Sequence, residues 1–350
     1  MYSQNEVMDF VKEEDVKFIK LAFCDMSGKQ KNVSITNNKL SRAFKTGIAI
    51  DVSAIKGFGA MTKSGLILHP DSSTLSILPW RPEHGRVIRM FCDISYPDGR
   101  AFELDSRQIL KNAIKDAETK GFTFLFGPKI EFYLFKLDEN GNKTNIPYDK
   151  AGYMDIAPED KGENIRRDIC LTLEQMGVYP ESSHHEKGAG QNKINFKSRN
   201  TLTAADNITT IRQVVSTVAN RNGLFADYSP MPIENEPSNS FHFSFAIESN
   251  NDKELLIKSI AGILHKIDNC TAFISNNLES NYAEFYISDS LANPYITFAL
   301  IIYAAISGIN NNEKLPEPTN GNTYKSDVND NKFAEEYLPT QMILTNKKGI

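Results

Sequence analysis

The sequence lacks several features that mark familiar protein classes. Its four cysteines, Cys24, Cys92, Cys170 and Cys270, lie far apart and form no C-x-x-C pair, so neither a zinc ribbon nor a disulfide framework is indicated. A formal net charge of −5 gives no reason to expect nucleic-acid binding, which favours clustered Lys and Arg. The phosphate-binding pattern G-x-x-x-x-G-K-[ST] is also absent. These absences favour a small molecule or another protein as the partner.

Long apolar runs are scarce as well. The longest, ITFALIIYAAISGI at residues 296–309, follows Ala-Asn-Pro-Tyr and is shorter than the roughly 20 residues that span a bilayer. The N-terminal segment MYSQNEVMDFVKEEDVKF has scattered acids and no apolar stretch of the kind found in signal peptides. We therefore expect a cytoplasmic protein without a membrane partner.

The patterns that are present divide the 350 residues into two parts. Residues 1–104 contain short alternating runs broken by Gly, Pro and Asp, which predicts a small β-sheet domain. From residue 105 onward, long helical patterns, several ending at glycine, alternate with short strands. This order indicates an α+β fold in which an antiparallel sheet is covered by helices on one side. Residues 311–350 are polar and rich in Asn and Lys, so we expect them to be loosely ordered.

Four predicted strands of the second part carry polar side chains on one face. Because side chains of a strand alternate between faces, Lys129 and Glu131 of KIEFYLF point the same way. The same parity groups residues on three further strands: Lys193 and Asn195, His242 and Ser244, and Tyr282, Glu284 and Tyr286. Glu186 lies in the loop-like segment HHEKGAGQ. The pattern predicts that acids and lysines meet on a shared face.

At these strands the sequence resembles the glutamine synthetase family. GPKIEFYLF is similar to that family's G-P-E-x-E-F-F-L-F, ESSHHEKGAGQNKINF to its H-H-E-x-x-x-G-Q-x-E, and DVSAIKGF to its D-G-S-S-I-x-G-F. SFHFSF and the A-N-P-Y helix follow in the family's order. The resemblance runs from about residue 16 to residue 310. It implies a β-grasp-like domain at residues 1–104 and a catalytic-type domain with a curved antiparallel sheet at residues 105–350.

The resemblance also implies a metal-dependent chemistry that this chain has altered. In the family, two Mg²⁺ or Mn²⁺ ions and ATP serve the ligation of ammonia to glutamate, at sites between neighbouring subunits of a ring. Carried over by position, the two metal sites correspond to two sets of residues: Glu131, Glu186 and Lys193, and Lys129, His242 and Glu284. A charged lysine has no lone pair and cannot ligate a cation. We therefore predict vestigial metal positions and no tightly bound cofactor.

Two further residues are assigned by the resemblance. Asp51 matches an aspartate that helps deprotonate ammonium in the neighbouring subunit's site, although it could be only a turn residue. Tyr153, in the Tyr-containing segment before a helix, is a candidate for cofactor binding. The family's two arginines in R-x-E-x-R are replaced here by Tyr282 and Tyr286. Compared with the family, the chain is also shortened between residues 274 and 291 and at its C-terminus.

Two functions remain open at this point. The first is a pseudoenzyme that acts by assembly or regulation, as a homo-oligomer or in a mixed ring with an authentic glutamine synthetase. The alternative is an active ATP-dependent ligase with an altered substrate or a single metal. The positions of the Lys129 and Lys193 side chains bear on the choice between these two functions. Either the lysines pair with Glu131, Glu186 or Glu284, or they bend toward solvent and leave a weak metal site.

Overall fold

A computed structural model describes residues 2–55, 57–59, 65–81, 84–248, 252–274, 282–328 and 332–346. The chain forms two compact units. The N-terminal unit consists mainly of Met1–Asn112 with the short segment Gln175–Gly177, and the C-terminal unit of Ala113–Glu174 and Val178–Phe333. Among the described residues, every helix is too short or too polar to cross a membrane.

A mixed sheet forms the core of the N-terminal unit, and six of its strands fall within the described residues. They are β1 (Val16–Cys24), β2 (Gln30–Thr36), β3 (Ile48–Ile50), β4 (Leu66–Pro70), β5 (Ser76–Ile77) and β6 (Arg86–Ser95). The order is β2-β1-β6-β4-β3, with β5 beside β6. β1 and β6 run parallel, and the other pairs are antiparallel. The predicted small sheet domain is thus confirmed.

A larger antiparallel sheet forms the core of the C-terminal unit, and β7 lies at its centre. Ten of its strands are described: β7 (Phe124–Leu137), β8 (Lys143–Pro147), β9 (Pro180–His185), β10 (Gln191–Phe196), β11 (Arg199–Asn200), β12 (Leu224–Asp227), β13 (Phe241–Ile247), β14 (Cys270–Ile274), β15 (Tyr282–Ile287) and β16 (Thr323–Lys325). The main order is β16-β14-β15-β13-β7-β10-β9, and β8, β11 and β12 also pair with β7.

The helices of the described residues follow the predicted helical patterns and add several short ones. They are α1 (Gln4–Glu13), α2 (Leu40–Thr46), α3 (Ser106–Thr119), α4 (Glu163–Gln175), α5 (Thr201–Arg221), α6 (Lys253–Leu264), α7 (Pro294–Asn310), α8 (Lys332–Tyr337) and α9 (Thr340–Asn346). α7 begins where the Asn293 side chain accepts a hydrogen bond from the Tyr295 N–H, with Pro294 in the first turn. Both residue types are favoured at helix starts.

One face of the large sheet packs against helices, which leaves the other face for polar residues. Phe126 of β7 stacks on Phe298 of α7 with ring centroids 4.1 Å apart. Phe243 and Phe245 of β13 extend the same aromatic core. Because strand residues alternate, the neighbours of these phenylalanines point to the opposite face.

The prediction that residues 311–350 are loosely ordered is wrong for the parts of this segment that form β16, α8 and α9. β16 pairs with β14, so that Thr271 lies opposite Lys325, and α8 and α9 follow. Composition is a poor guide here because strand addition to an existing sheet edge satisfies the backbone without a large apolar core. Residues 329–331 and 347–350 lie outside the described residues, as do residues 275–281 of the segment predicted to be shortened.

Candidate functional site

The polar face of the large sheet forms where β7, β10, β13 and β15 lie side by side. On β7, Glu131 lies opposite Lys193 of β10, and Lys129 lies opposite His242 of β13. Glu284 of β15 lies opposite Ser244 of β13. We call the acids, the two lysines and the histidine gathered here the sheet-face cluster: Lys129, Glu131, Glu186, Lys193, His242 and Glu284. The register therefore confirms the predicted shared face.

Lys193 joins two carboxylates of this cluster. Its Nζ lies 2.7 Å from Glu131 Oε1 and 3.5 Å from Glu186 Oε1. The Lys193 side chain is only 12% exposed, so water screens these charges poorly. Burial by itself would lower the pKa of Lys193, but the two carboxylates raise it above its ordinary value. Lys193 is therefore a cation at neutral pH.

Glu131 receives donors on both of its oxygens. Oε2 accepts hydrogen bonds from the Ser240 backbone N–H at 2.9 Å and from the Ser240 hydroxyl at 3.0 Å. Burial by itself would raise the pKa of Glu131, but the His242 ring, the Lys193 ammonium and the Ser240 N–H lower it to about 2. The nearest ring atom, His242 Nδ1, is 3.9 Å from Glu131 Oε1, which is too long for a hydrogen bond. We therefore regard the His242 contact as electrostatic.

Lys129 and His242 share the carboxylate of Glu284. Lys129 Nζ lies 2.7 Å from Glu284 Oε1, and His242 Nε2 lies 2.8 Å from Glu284 Oε2. Burial would raise the pKa of Glu284, but the bonds to His242 and Lys129 lower it. The Tyr286 ring stacks on the His242 ring with centroids 3.9 Å apart. His242 Nδ1 is buried and has no hydrogen-bond partner among the described residues.

Comparison with known proteins decides the family. The family model described as "Glutamine synthetase, beta-Grasp domain" matches residues 15–97, and "Glutamine synthetase, catalytic domain" matches residues 103–283 and 269–344. The chain belongs to the glutamine synthetase family. The glutamine synthetase of Clostridium saccharobutylicum is 38% identical over 370 residues, covering 92% of this chain and 83% of that protein. The glutamine synthetase of Staphylococcus aureus strain MW2 is 36% identical over 372 residues, with coverages of 93% and 83%.

Solved structures show that the fold is shared. The cryo-EM structure of Plasmodium falciparum glutamine synthetase has a TM-score of 0.80 at 20% identity and covers 93% of this chain and 79% of that chain. A GmaS/ADP complex has a TM-score of 0.79 at 20% identity, with coverages of 96% and 91%. The predicted fold class, a β-grasp N-terminal domain followed by a glutamine synthetase catalytic domain, is confirmed.

The side chains of the sheet-face cluster do not suit the two divalent ions that glutamine synthetases use. Mg²⁺ requires about six oxygen-type ligands in near-octahedral geometry. Here a carboxylate oxygen of Glu131 and one of Glu284 each lie 2.7 Å from a lysine Nζ. The Oε1 atom of Glu186 lies 3.5 Å from the Nζ of Lys193. The predicted pairing of the lysines with these acids is thus confirmed, and the alternative in which both lysines bend toward solvent is wrong. That these positions are vestigial metal ligands stays a prediction.

Asp51 and Tyr153 lie outside this cluster of ion pairs. Asp51 is exposed in the loop after β3, and its Oδ1 accepts the Ser53 N–H at 2.8 Å, which lowers its pKa. This is the hydrogen bond of a turn residue, so the turn alternative stays open. The half-exposed Tyr153 packs edge-on against His184 at 5.4 Å, and His184 Nε2 lies 3.8 Å from Glu186 Oε1. Its cofactor role stays a prediction.

A buried charge network behind Glu186 was not predicted. His185 is fully buried, with Nδ1 2.6 Å from the Glu186 carbonyl oxygen and Nε2 2.9 Å from Asp149 Oδ1. Because a carbonyl only accepts, Nδ1 must donate, and Nε2 then donates to the ionised Asp149. Burial would lower the pKa of His185, but Asp149 raises it. Asp149 also accepts the Gly190 N–H at 3.1 Å, so the network fixes both ends of the loop that carries Glu186.

The remaining members of this network pair with one another. Arg166 forms an ion pair with Asp160, and its NH1 donates to Asn192 Oδ1 at 2.6 Å. We call Asp149, Asp160, Arg166 and His185 the buried cluster. The H-H-E motif singled out its histidine, but the partner Asp149 is 36 residues away in sequence. The sequence likewise contains no signal for Ser240 as a donor, because its partner Glu131 lies 109 residues away in the chain.

Proposed function

We propose that this chain is a glutamine synthetase-family pseudoenzyme, which does not ligate ammonia to glutamate and acts by assembly or regulation. The observation that carries the proposal is the pairing of Lys129 with Glu284 and of Lys193 with Glu131, each at 2.7 Å. Both lysines stand at positions where the resemblance implies metal-binding carboxylates.

Electrostatics explains why these lysines replace metals rather than accompany them. Two unit charges 4 Å apart interact by about 4 kcal/mol at the effective dielectric constant of about 20 that suits protein sites. A divalent cation entering the cluster would meet two ammoniums and would have to displace them from their carboxylates. With His242 neutral, three glutamates and two lysines leave a formal charge of −1. The ammoniums therefore act as internal counterions that hold β7, β10 and β15 together.

Two further departures from the family support the proposal. Tyr282 and Tyr286 replace arginines, and a tyrosine cannot supply a cationic fork for phosphate or carboxylate. The alignment with the Clostridium saccharobutylicum enzyme spans 370 positions, but this chain has only 350 residues and 92% of them take part in it. Several dozen positions of that enzyme therefore have no counterpart in this chain. Phosphoryl transfer depends on positioning and cationic stabilisation of the transferring oxygens. Tyrosines in place of these arginines, together with lysines in place of metal ligands, therefore remove much of the means of catalysis.

One observation favours the alternative, an active ligase with an altered substrate or a single metal. His242 Nδ1 is a buried nitrogen without a hydrogen-bond partner in the described part of the chain, and it points toward Glu131 at 3.9 Å. An imidazole nitrogen and a carboxylate oxygen that lie close together are common ligands of a metal ion. The paired lysines argue against this reading, because a cation there would have both of them as neighbours.

An activity assay with the purified protein separates the two functions. We expect no glutamine formation and no γ-glutamyl transfer with ATP and either Mg²⁺ or Mn²⁺, measured beside an authentic glutamine synthetase. Turnover at about 1 per second or faster would overturn the pseudoenzyme proposal. An anomalous-scattering map of crystals soaked in Mn²⁺ adds a structural readout, in which one or two metal peaks at the sheet-face cluster would favour the ligase.

Light scattering tests the proposed assembly. Members of the family are typically oligomeric, and the exposed Asp51 is available to a neighbouring subunit. We expect a homo-oligomer, or a mixed ring when the protein is combined with an active glutamine synthetase from the same source. A monomer in both experiments would remove the assembly proposal. The cytoplasmic location stays a prediction.

A further inference from the structure

A cavity of about 300 Å³ opens in the N-terminal unit, at the end of β6 and beside β5. Its apolar wall consists of four side chains: Ile77, Leu78, Pro79 and Val87. The volume is at the lower end of the range for small-molecule sites, which are largely apolar with a few polar groups. Gln175, which groups with this unit, also lines the cavity.

Within the described part of the chain, the cations near this cavity outnumber the carboxylates that pair with them. Arg81 and Arg86 both line it, and Arg86 forms an ion pair with Glu14. Arg81 is exposed, and neither it nor the nearby Lys20 forms an ion pair with a carboxylate among the described residues. Burial lowers the pKa of Lys20, and the charge of Arg81 lowers it further. The two cations are therefore close enough to repel each other.

The position of Lys20 follows from the pairing of β1 with β6. The two strands run parallel, with Phe18 beside Val87 and Lys20 beside Arg89. Because strand residues two apart share a face, Lys20 lies on the side of β1 that carries Phe18, and Phe18 is the residue beside the cavity residue Val87. The strand register therefore fixes the position of Lys20, whereas Arg81 is an exposed side chain in the segment after β5.

We propose that this cavity binds a small anion with an apolar body, such as an aromatic phosphate or carboxylate. The anionic group would contact Arg81, whose planar guanidinium donates two parallel hydrogen bonds to such groups. The bound charge would also relieve the repulsion between Arg81 and Lys20. The body of the ligand would fill the wall formed by Ile77, Leu78, Pro79 and Val87. This site is separate from the function proposed above and does not depend on it.

Anilinonaphthalene sulfonate is a suitable probe because it combines a sulfonate with an apolar ring system. Trp80, the single tryptophan of the chain, directly follows the wall residue Pro79. Energy transfer from Trp80 therefore reports probe bound in its neighbourhood, and the Arg81→Gln variant tests whether that probe lies in the cavity. We expect saturable transfer with the full-length protein, and a dissociation constant about tenfold higher in Arg81→Gln, because one charge-assisted contact is lost.

Two variants make this result interpretable. Arg42→Gln removes an exposed arginine of the same unit, on α2, and should leave the dissociation constant unchanged. Lys20→Gln should weaken binding as Arg81→Gln does, without altering the cavity wall. Far-ultraviolet circular dichroism checks that each variant is folded. Absence of saturable transfer in the wild type, or equal affinity in Arg81→Gln and Arg42→Gln, would overturn the proposal.

Competition identifies the anionic group. Displacement of the probe by phenylphosphate or by benzoate supports the proposal, and the stronger of the two shows whether phosphate or carboxylate is preferred. Inorganic phosphate lacks an apolar body and should compete at least about tenfold less well than phenylphosphate. Equal competition by inorganic phosphate and phenylphosphate would overturn the apolar part of the proposal.

Discussion

The C-terminal unit contains two clusters of charged residues that meet at the peptide between His185 and Glu186, and they differ in how fully their charges are matched. The buried cluster has two acids and two cations, and its side chains are at most 5% exposed. The sheet-face cluster has three acids, two lysines and His242, and its side chains are 3% to 23% exposed. One is balanced and closed to water. The other keeps an excess acid and some access to solvent.

This difference shows what each cluster does for the fold. The buried cluster fixes the loop that carries Glu186, through His185 at one end and the Gly190 N–H at the other. The sheet-face cluster binds strands together while leaving His242 Nδ1 without a partner in the described chain. The buried cluster thus holds one loop in place, whereas in the sheet-face cluster the ammoniums of Lys129 and Lys193 lie among the carboxylates and pair with them.

The strongest test of this comparison converts the sheet-face cluster back to acids. Lys129→Glu combined with Lys193→Glu removes both ammoniums and leaves five carboxylates and His242 around the site. We expect Mn²⁺ affinity to rise by at least about a hundredfold in titration calorimetry, because each replacement exchanges a repelling charge for a ligand. Ligase activity should not return, since the arginines are still missing.

A matched control accompanies that double variant. Lys136→Glu combined with Lys197→Glu makes the same charge change at exposed positions at the ends of β7 and β10. Its Mn²⁺ affinity should remain at the wild-type level. Equal affinities in the two double variants would mean that the sheet-face cluster is no better a cation site than the protein surface.

The next largest effect is expected in the buried cluster. Arg166→Met leaves Asp160 as an uncompensated buried carboxylate, which costs about 3–5 kcal/mol of unfolding free energy in urea denaturation. The neighbouring Arg167 is 68% exposed and lies 3.8 Å from Asp168. Arg167→Met should therefore change stability by less than about 1 kcal/mol. Similar losses in the two variants would contradict the structural role given to the buried pair.

A smaller effect separates the two lysines of the sheet-face cluster. Lys193 contacts two carboxylates and is 12% exposed, whereas Lys129 contacts one and is 23% exposed. We expect Lys193→Ala to cost about 3 kcal/mol and Lys129→Ala about 1–2 kcal/mol, because loss of one partner costs more where burial is deeper. Thermal and urea unfolding measure both values. Unchanged stability in both variants would show that the lysines are solvated in solution.

The sequence predicted the shared polar face well because strand parity depends only on local geometry. It placed Lys129 with Glu131 and His242 with Ser244 without knowledge of any neighbour. It also predicted long helices from residue 105 onward, since an amphipathic pattern and a cap determine helices locally. β7 illustrates the limit: KIEFYLF at residues 129–135 was recognised, but the strand extends over Phe124–Leu137 because neighbouring strands pair with its ends.

The sequence did not predict which carboxylate each lysine of the sheet-face cluster would contact. Three acids were possible partners for each lysine, and the choice depends on the register of β7 with β10 and of β13 with β15. Register is set by pairing along whole strands, which a local pattern does not report. The same limit applies to Asp149 and Ser240, which reach their partners through segments distant in the chain. Their residue types carried no periodic signal.

The pH dependence of stability tests the charge pairing of the sheet-face cluster in the unmodified protein. Glu131 has a pKa of about 2 in the folded chain against an ordinary value of 4.5, so its ionised form is preferentially stabilised by folding. That stabilisation is fully present above pH 4.5 and is lost as the pH falls toward 2. After allowance for partial screening by water, we expect a loss of about 2 kcal/mol over this interval. His185 has the opposite sign, because its raised pKa contributes stability that is lost as the pH rises through the folded-state value.

The variant Glu131→Gln makes this prediction measurable in urea unfolding at a series of pH values. It should be less stable than the wild type at pH 7, yet its unfolding free energy should fall less steeply between pH 4.5 and 2, because the titrating group is gone. The alkaline side of the profile, where His185 contributes, should keep its wild-type slope and so provides an internal control. Glu284, whose pKa is also lowered, should retain part of the acid dependence. If the acid slope of Glu131→Gln equals that of the wild type, Lys193 and Ser240 do not stabilise the ionised Glu131, and the sheet-face cluster is more open to water than its geometry indicates.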